Sequence, residues 1–346
     1  TLEEAKEKIA NGEKYTVRLK LPKDTDISFE DRIKGKITFN TNDMDDQVLI
    51  KEDGYPTYHF AVIVDDHEMG ITHVVRGDEW ISSTPKHVFL YQAFGWEAPE
   101  YIHLPTVLNK DHKKYSKRNG DGMVEDFIER GYLPEGLINY LALLGWSPDS
   151  EEEIFTMKEL ADQFTFDRVN KTGAVFDVRK LDWVNGHYVR EMSVEDLAAA
   201  IKPYCIEAGF FGEDYPEEKL NLLAATWQSA IDKFSDIKDE AYVYYVDDKD
   251  MKWTDEAVEA IKTDEAKTLF DAFIKKLEEV DEVELDFAKT IMKSIQKETG
   301  IKGKNLWFPV RAGLTGNVHG PELVNAFVIM GKEKMIDRLN YVKENF

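Results

Sequence analysis

A single cysteine, Cys205, stands among 346 residues. No disulfide can close within the chain and no cysteine-based zinc site can form, which fits a reducing cytoplasm. Long apolar runs are also missing. The longest, around LINYLALLGW, reaches at most half the length a membrane span needs. The opening, TLEEAKEKIANGEKY, lacks a basic-then-apolar leader pattern, so a chain free of the membrane is expected. Positive charge is scarce: 44 Lys and Arg face 67 Asp and Glu, a formal charge of -23. Such a surface repels nucleic acid on average, so any nucleic-acid contact must come from local basic patches. No Ser–His–Asp order, Gly-x-Ser-x-Gly or Walker-type loop occurs, and no fixed-period repeat.

What is present changes texture along the chain. Residues 1–56 begin with a short helical stretch, LEEAKEKIANG, and continue in alternating runs that read as strands: YTVRLKL, GKITF and DQVLIKEDGYP. HFAVIV is nearly continuously apolar, and periodicity leaves a buried strand and a buried helix turn both open. THVVRG reads as a buried strand. SSTPKHVFLYQAFG reads as a helix, with Ser83 or Thr84 as N-cap, Pro85 in the first turn and Gly95 after the end. YIHLPTVL is the next strand and delivers the chain into a loop. Strand, helix, strand and loop is βαβ logic, and ligands of open parallel sheets bind at such carboxyl ends. From residue 120 onward the pattern is helical almost to the end, with an acidic stretch over 235–286 that reads as a solvated helical surface.

The loop Lys110–Arg118, KDHKKYSKR, gathers five Lys and Arg against one Asp in this acidic chain. Lysine ammoniums act as point charges on phosphate oxygens, and Ser116 and backbone amides can add hydrogen bonds. Asn119, Gly120 and Gly122 permit closure over a ligand. The same letters also suit an exposed, solubilising loop. Arg76 ends a predicted strand beside Asp78 and Glu79, and suits either a carboxylate-binding fork or a structural Arg–Asp cap. Trp80 can form a stacking wall. VDDHE (Asp65 to Glu68) has metal-ligand letters, but its tight spacing points to a hydrogen-bonded strand-to-helix turn. His59, His87, His103 and His319 are isolated in the sequence and read as packing or surface residues. Phe127, Tyr132 and Tyr140 read as core. LWFPVRAGLTGNVHGPEL reads as a row of turns that displays Trp307, Phe308 and Arg311, chemistry suited to unpaired bases, or equally as a helix–helix connection.

Together the stretches GYPTYHFAVIVDDHEMGITHVVRGDEWISSTPKHVFLYQAFGWEAPEYIHLPTVLN, KYSKR, GYLPEGLINYLALLGW, GAVFDVRKLDWVNGHYVR and FPVRAGLTG closely resemble bacterial glutamyl-tRNA synthetase, a class I aminoacyl-tRNA synthetase. The resemblance implies a multidomain α/β fold followed by an all-α part. Residues 1–56 would be part of an acceptor-binding insertion, 57–110 the second half of the Rossmann catalytic domain, 111–192 a stem-contact domain carrying a Lys-x-Ser-Lys loop, and 193–346 a helical anticodon-binding domain. No His-Ile-Gly-His-type motif occurs, so the expectation is a C-terminal fragment without the N-terminal half of the Rossmann fold.

The implied activity is ATP-dependent attachment of glutamate to tRNA(Glu), and possibly to tRNA(Gln), through glutamyl-adenylate. A different class of reading is a tRNA-binding module without catalysis in the isolated chain. Carried over by position, Lys114, Ser116, Lys117 and Arg118 would act on the triphosphate. Glu79 and Trp80, with Lys117, would bind ATP, and Tyr58 and Arg76 would bind glutamate. Arg311, Pro321, Leu323 and Lys233 would read the anticodon. Mg²⁺ would accompany the ATP phosphates, with no zinc and no protein metal site, and a cytoplasmic monomer is expected. Val62 departs from relatives that carry Asn at that position.

Overall fold

The computed structural model describes residues 1–119 and 122–346. Packing divides the chain into two units, Thr1–Asp121 with Asn139–Asp177, and Gly122–Ile138 with Val178–Phe346.

The first unit holds helix α1 (Leu2–Ala10), strands β1 (Val17–Arg18), β2 (Asp26–Asp31), β3 (Gly35–Asn40) and β4 (Val48–Ile50), then α2 (Tyr58–Glu68), β5 (His73–Gly77), α3 (Thr84–Phe94) and β6 (Glu100–Leu104). Burial alternates along β2, which turns Ile27, Phe29 and Asp31 inward. β2 and β3 form an antiparallel hairpin closed at Gly35, whose φ of 79° needs no Cβ. β5 and β6 are parallel, joined by α3 as the crossover, and the sheet order is β3-β2-β6-β5. The βαβ expectation therefore holds. α3 starts with Pro85 in its first turn and stops at Gly95 in the left-handed region. Ile27, Phe29, Ile63, Val88, Leu90 and Tyr91 share one apolar core. Each such side chain contributes about 1.5–3 kcal/mol on full burial.

Two local expectations are corrected here. HFAVIV forms a helix, and VDDHE continues it as the second half of α2 instead of a strand-to-helix turn. No Gly or Pro interrupts that run before Gly70, so the helix runs on through the acidic letters. Of YTVRLKL only Val17 and Arg18 pair as a strand, against β4. Leu19 and Leu21 are buried while Tyr15 and Val17 are exposed.

Helix α4 (Val124–Glu129) belongs to the second unit. α5 (Pro134–Gly145) spans the boundary, and α6 (Met157–Gln163) belongs to the first unit. The second unit continues through α7 (Val178–Glu191), α8 (Val194–Glu207), α9 (Glu217–Trp227), α10 (Ile237–Glu240), α11 (Tyr242–Tyr245), α12 (Asp255–Ile261), α13 (Asp264–Glu278), α14 (Leu285–Thr299), α15 (Lys304–Thr315) and α16 (Leu323–Asn345). Among the described residues, none of these helices is long and apolar enough to cross a membrane.

LWFPVRAGLTG is not a row of turns but α15, with Pro309 inside it. Burial of Leu306, Pro309, Val310 and Leu314 outweighs the missing amide of Pro309. Gly313 lets α15 approach Phe270 and Leu339, because a Cβ there would stand only 3.0–3.1 Å from their side chains. Phe127, Tyr132 and Tyr140 are buried as expected.

Candidate functional site

Strand register builds the site. Parallel pairing sets Arg76 of β5 beside His103 of β6, while Asp31 at the end of β2 pairs with Tyr101. On α3, Thr84 and His87 stand three residues apart on one helical face. The Arg76 guanidinium enters the space between these elements. Its Nε donates to His103 Nε2 at 3.1 Å and its Nη2 to Thr84 Oγ1 at 2.7 Å. Nη1 and Nη2 lie 3.4 and 3.5 Å from His87 Nδ1. Tyr58 lies near enough to favour the charged form of Arg76. The guanidinium carbon lies 5.6 Å from the Trp80 ring and 5.8 Å from that of Tyr101, and Tyr58 packs on Trp80 at 4.9 Å.

Arg76 makes no ion pair with a carboxylate among the described residues. Burial pulls its pKa below the ordinary arginine value, the direction expected of a charge removed from water. Around it burial also disfavours protonation of the histidines. His87 is pushed down to about 3, and His59 and His103 are lowered. The cation is therefore ringed by neutral acceptors. Burial likewise raises the Asp66 carboxyl.

The basic loop approaches from another side. Lys114 Nζ meets Glu79 Oε1 at 2.7 Å, a bond that holds the Glu79 carboxyl below its usual range. The loop has a firm base: the Tyr115 amide donates to the Val107 carbonyl at 2.8 Å, and the Tyr115 ring packs on Phe176 at 4.8 Å. Ser116 is half-buried. Lys117 and Arg118 open a short 3₁₀ turn, exposed and without an ion pair among the described residues. Gly120, expected to help the loop close, lies outside the described residues.

The structure thus brings Tyr58, Arg76 and Trp80 into contact, and joins Glu79 to Lys114. His59, His87, His103 and Asp31 belong to the same cluster and escaped the sequence reading. The histidines are not isolated packing residues. They lie 11 to 72 residues from their partners in the chain, and no local pattern links them. His319 is exposed, as read.

In the second unit, Arg311 is half-buried on α15 and its Nη1 donates to the Pro321 carbonyl at 2.6 Å. Leu323 is only 2% exposed, so its side chain cannot meet a base as expected. Lys233 is no free base-reading cation either. Its ammonium lies 2.7 Å from Asp236 and 3.6 Å from Asp182, and over the Tyr132 ring. Burial works against that charge, yet the two carboxylates hold its pKa above the ordinary value. Trp307 is exposed, and Phe308 lies between Lys304 and His319.

No group of three or more His, Cys, Asp or Glu that could hold a metal occurs among the described residues. Glu79, the acidic residue expected beside the nucleotide, is already committed to Lys114. These residues do not form a cradle for Mg²⁺, and the ion is treated below only as part of the nucleotide substrate.

Comparison with known proteins gives a consistent picture. The catalytic domain family of class I tRNA synthetases (E and Q) matches residues 1–183, and an anticodon binding domain family matches residues 196–343. The glutamate–tRNA ligase of Finegoldia magna is 55% identical over 340 residues, which cover 98% of this chain and 69% of that protein. That of Alkaliphilus metalliredigens is 48% identical over 346 residues, covering 99% of this chain and 70% of the relative. Among solved structures, a glutamate tRNA ligase from Elizabethkingia meningosepticum in complex with its amino acid superposes with a TM-score of 0.83 at 33% identity. That match covers 99% of this chain and 71% of the other.

Proposed function

The chain belongs to the glutamate–tRNA ligases of the class I tRNA synthetases, and from that premise we propose that Arg76 and Tyr58 form its glutamate-binding end and the Lys114–Arg118 loop its triphosphate-binding end. One observation carries this reading. Arg76 is a half-buried cation with neutral acceptors on several sides and no ion pair with a carboxylate among the described residues. Burying a charge without a counter-ion is costly, and an incoming carboxylate supplies the missing anion. Its α-carboxylate is the group that a planar guanidinium fork suits.

In this reading Trp80 walls the nucleotide site and Tyr58 lies between it and the amino acid. A glutamate carboxylate oxygen attacks the α-phosphorus of ATP, a new P–O bond forms, and the bond to pyrophosphate breaks. Lys117 and Arg118, exposed and without an ion pair among the described residues, would swing onto the leaving phosphates. Lys114 follows by exchanging Glu79 for a phosphate oxygen. The protein supplies charge and placement, and no protein nucleophile is involved. A terminal hydroxyl of tRNA then attacks the acyl carbon and AMP departs. Residues 1–56 would serve the acceptor end, 57–110 the nucleotide fold, 111–192 the stem, and 193–346 the anticodon. In the last region Arg311, beside Pro321, would read a base. Lys233 is assigned a structural role, since a base would have to displace two carboxylates to reach it.

The test is Arg76→Ala in the full chain. The expected loss is about 1.5–3 kcal/mol of carboxylate binding, a fall of roughly ten- to a hundredfold in kcat/KM for glutamate. The KM for ATP should change little. Unchanged glutamate kinetics would reassign Arg76 to structure.

A further inference from the structure

The hydrogen bonds around Arg76 form one network, and the donor rules orient both of its histidines. A guanidinium can only donate, so His103 Nε2, which receives Arg76 Nε at 3.1 Å, carries no proton. The proton of a neutral His103 is then on Nδ1, 2.7 Å from Asp31 Oδ2. Asp31 is itself fixed. Its Oδ2 also accepts the His103 amide at 2.9 Å, and its Oδ1 accepts the amides of Ile33 and Lys34 at 3.0 and 2.8 Å. On the other side, His87 turns Nδ1 toward the guanidinium. Its proton is therefore on Nε2, donated to His59 Nδ1 at 2.9 Å. Thr84 Oγ1 accepts from Arg76 Nη2, and its single proton faces two acceptors, the Trp80 carbonyl at 2.9 Å and His103 Nε2 at 3.1 Å.

We propose that Asp31, His103 and His87 are positioning residues for the glutamate site, holding the Arg76 guanidinium through neutral acceptor atoms so that its charge stays available to the substrate carboxylate. The inference rests on the reading of Arg76 as the carboxylate-binding residue and adds to it how that residue is aimed. A carboxylate in direct contact would fix Arg76 as well, but it would also neutralise it and compete with the substrate. A neutral imidazole fixes the direction of an N–H and leaves the charge. Asp31 supplies the anion one residue removed. It selects the His103 tautomer, as an outer partner does for a ligand histidine. The core position of His103 and Asp31, 0% and 3% exposed, keeps water from offering another acceptor.

The experiment compares three variants with Arg76→Ala in aminoacylation by the full chain, reading KM for glutamate against kcat and KM for ATP. Asp31→Asn presents an amide where His103 donates, which drives the His103 proton to Nε2 and sets two donors face to face at Arg76. Glutamate KM should rise about tenfold, with kcat and the ATP KM within about threefold. His103→Leu removes the acceptor and should do the same. His103→Gln returns an acceptor oxygen near the Nε2 position and should recover most of the loss. Nitrogen shifts of labelled histidine should show the His103 proton on Nδ1 in the parent and on Nε2 in Asp31→Asn, a readout independent of activity. If Asp31→Asn fails to fold, the contrast between His103→Leu and His103→Gln decides the matter. Equal glutamate KM in His103→Leu and the parent, with Arg76→Ala impaired, would overturn the positioning role alone. An unimpaired Arg76→Ala would overturn the underlying reading of the site.

Discussion

Arg338 in the helical unit holds a buried guanidinium and Arg76 in the α/β unit a half-buried one, and their surroundings differ in kind. Arg338 is 0% exposed. Its Nε donates to Asp248 Oδ1 at 2.9 Å, and its terminal nitrogens donate to the carbonyls of Val243, Leu314 and Val246. Lys334 joins the same carboxylate at 3.1 Å. That arginine ties α16 to the end of α15 and to the α11 region, with its charge paired and four of its five N–H donors used. Arg76 has its direction fixed and its charge left over. A buried arginine with a carboxylate and carbonyls is a fastener. One with imidazoles and a hydroxyl is poised for an anion.

The sharpest way to break this comparison is to remove Arg338. Arg338→Ala leaves Asp248 with Lys334 alone and three carbonyls without their donor, and a loss of about 3–5 kcal/mol is expected in urea unfolding. A loss below about 1 kcal/mol would show that the clamp is dispensable. Acid comes next, on the other unit. The folded-state pKa of His87, about 3, lies below its ordinary value of 6.5. Unfolded chains therefore take up the proton first. Stability from this group is complete above 6.5, falls as pH drops, and levels off near 3. The penalty should be on the order of 2–4 kcal/mol at pH 4. Replacing His87 by Gln, which cannot titrate, should remove that part of the acid slope, and an unchanged slope would mean that His87 does not contribute. The second unit offers no matching buried imidazole, since neither His187 nor His319 is buried.

Lys117 sharpens the contrast on the kinetic side. Lys117→Ala should slow adenylate formation by about ten- to a hundredfold, roughly 1.5–3 kcal/mol, with tRNA affinity almost unchanged. A change confined to tRNA binding would contradict the phosphate role. The smallest expected effect is the most diagnostic. Arg76→Met should alter folding stability by less than about 1 kcal/mol in either direction, because an apolar side chain relieves the burial of an unpaired charge while orphaning only acceptors. A destabilisation comparable to that of Arg338→Ala would make Arg76 a second fastener.

Much of the frame was readable in the letters. Pro85 and Gly95 bounded α3, and the order of strand, helix and strand implied parallel β5 and β6. Each of these signals lies within a few residues of what it marks. The gaps have a common cause as well. HFAVIV stayed open between strand and helix because its apolar run is too short for its period to separate them. LWFPVRAGLTG carries turn-forming letters, but its apolar side chains find a core made by α13 and α16, which no local window contains. Leu323 looked like a recognition residue and proved to be core for the same reason.

By itself the sequence determined the punctuation of the helices, the βαβ crossover, the acidic balance and its local reversal at Lys110–Arg118, and the motifs that identify the family. Only the tertiary structure decided that Asp31, His59, Arg76, His87 and His103 would meet, that Lys114 would rest on Glu79, and that Arg338 would find Asp248. The physical reason is range. Caps and periodicity act over one or two helical turns, whereas strand register and helix packing bring together side chains many tens of residues apart, and the shared acceptors and charges that give a site its chemistry exist only after that pairing is made.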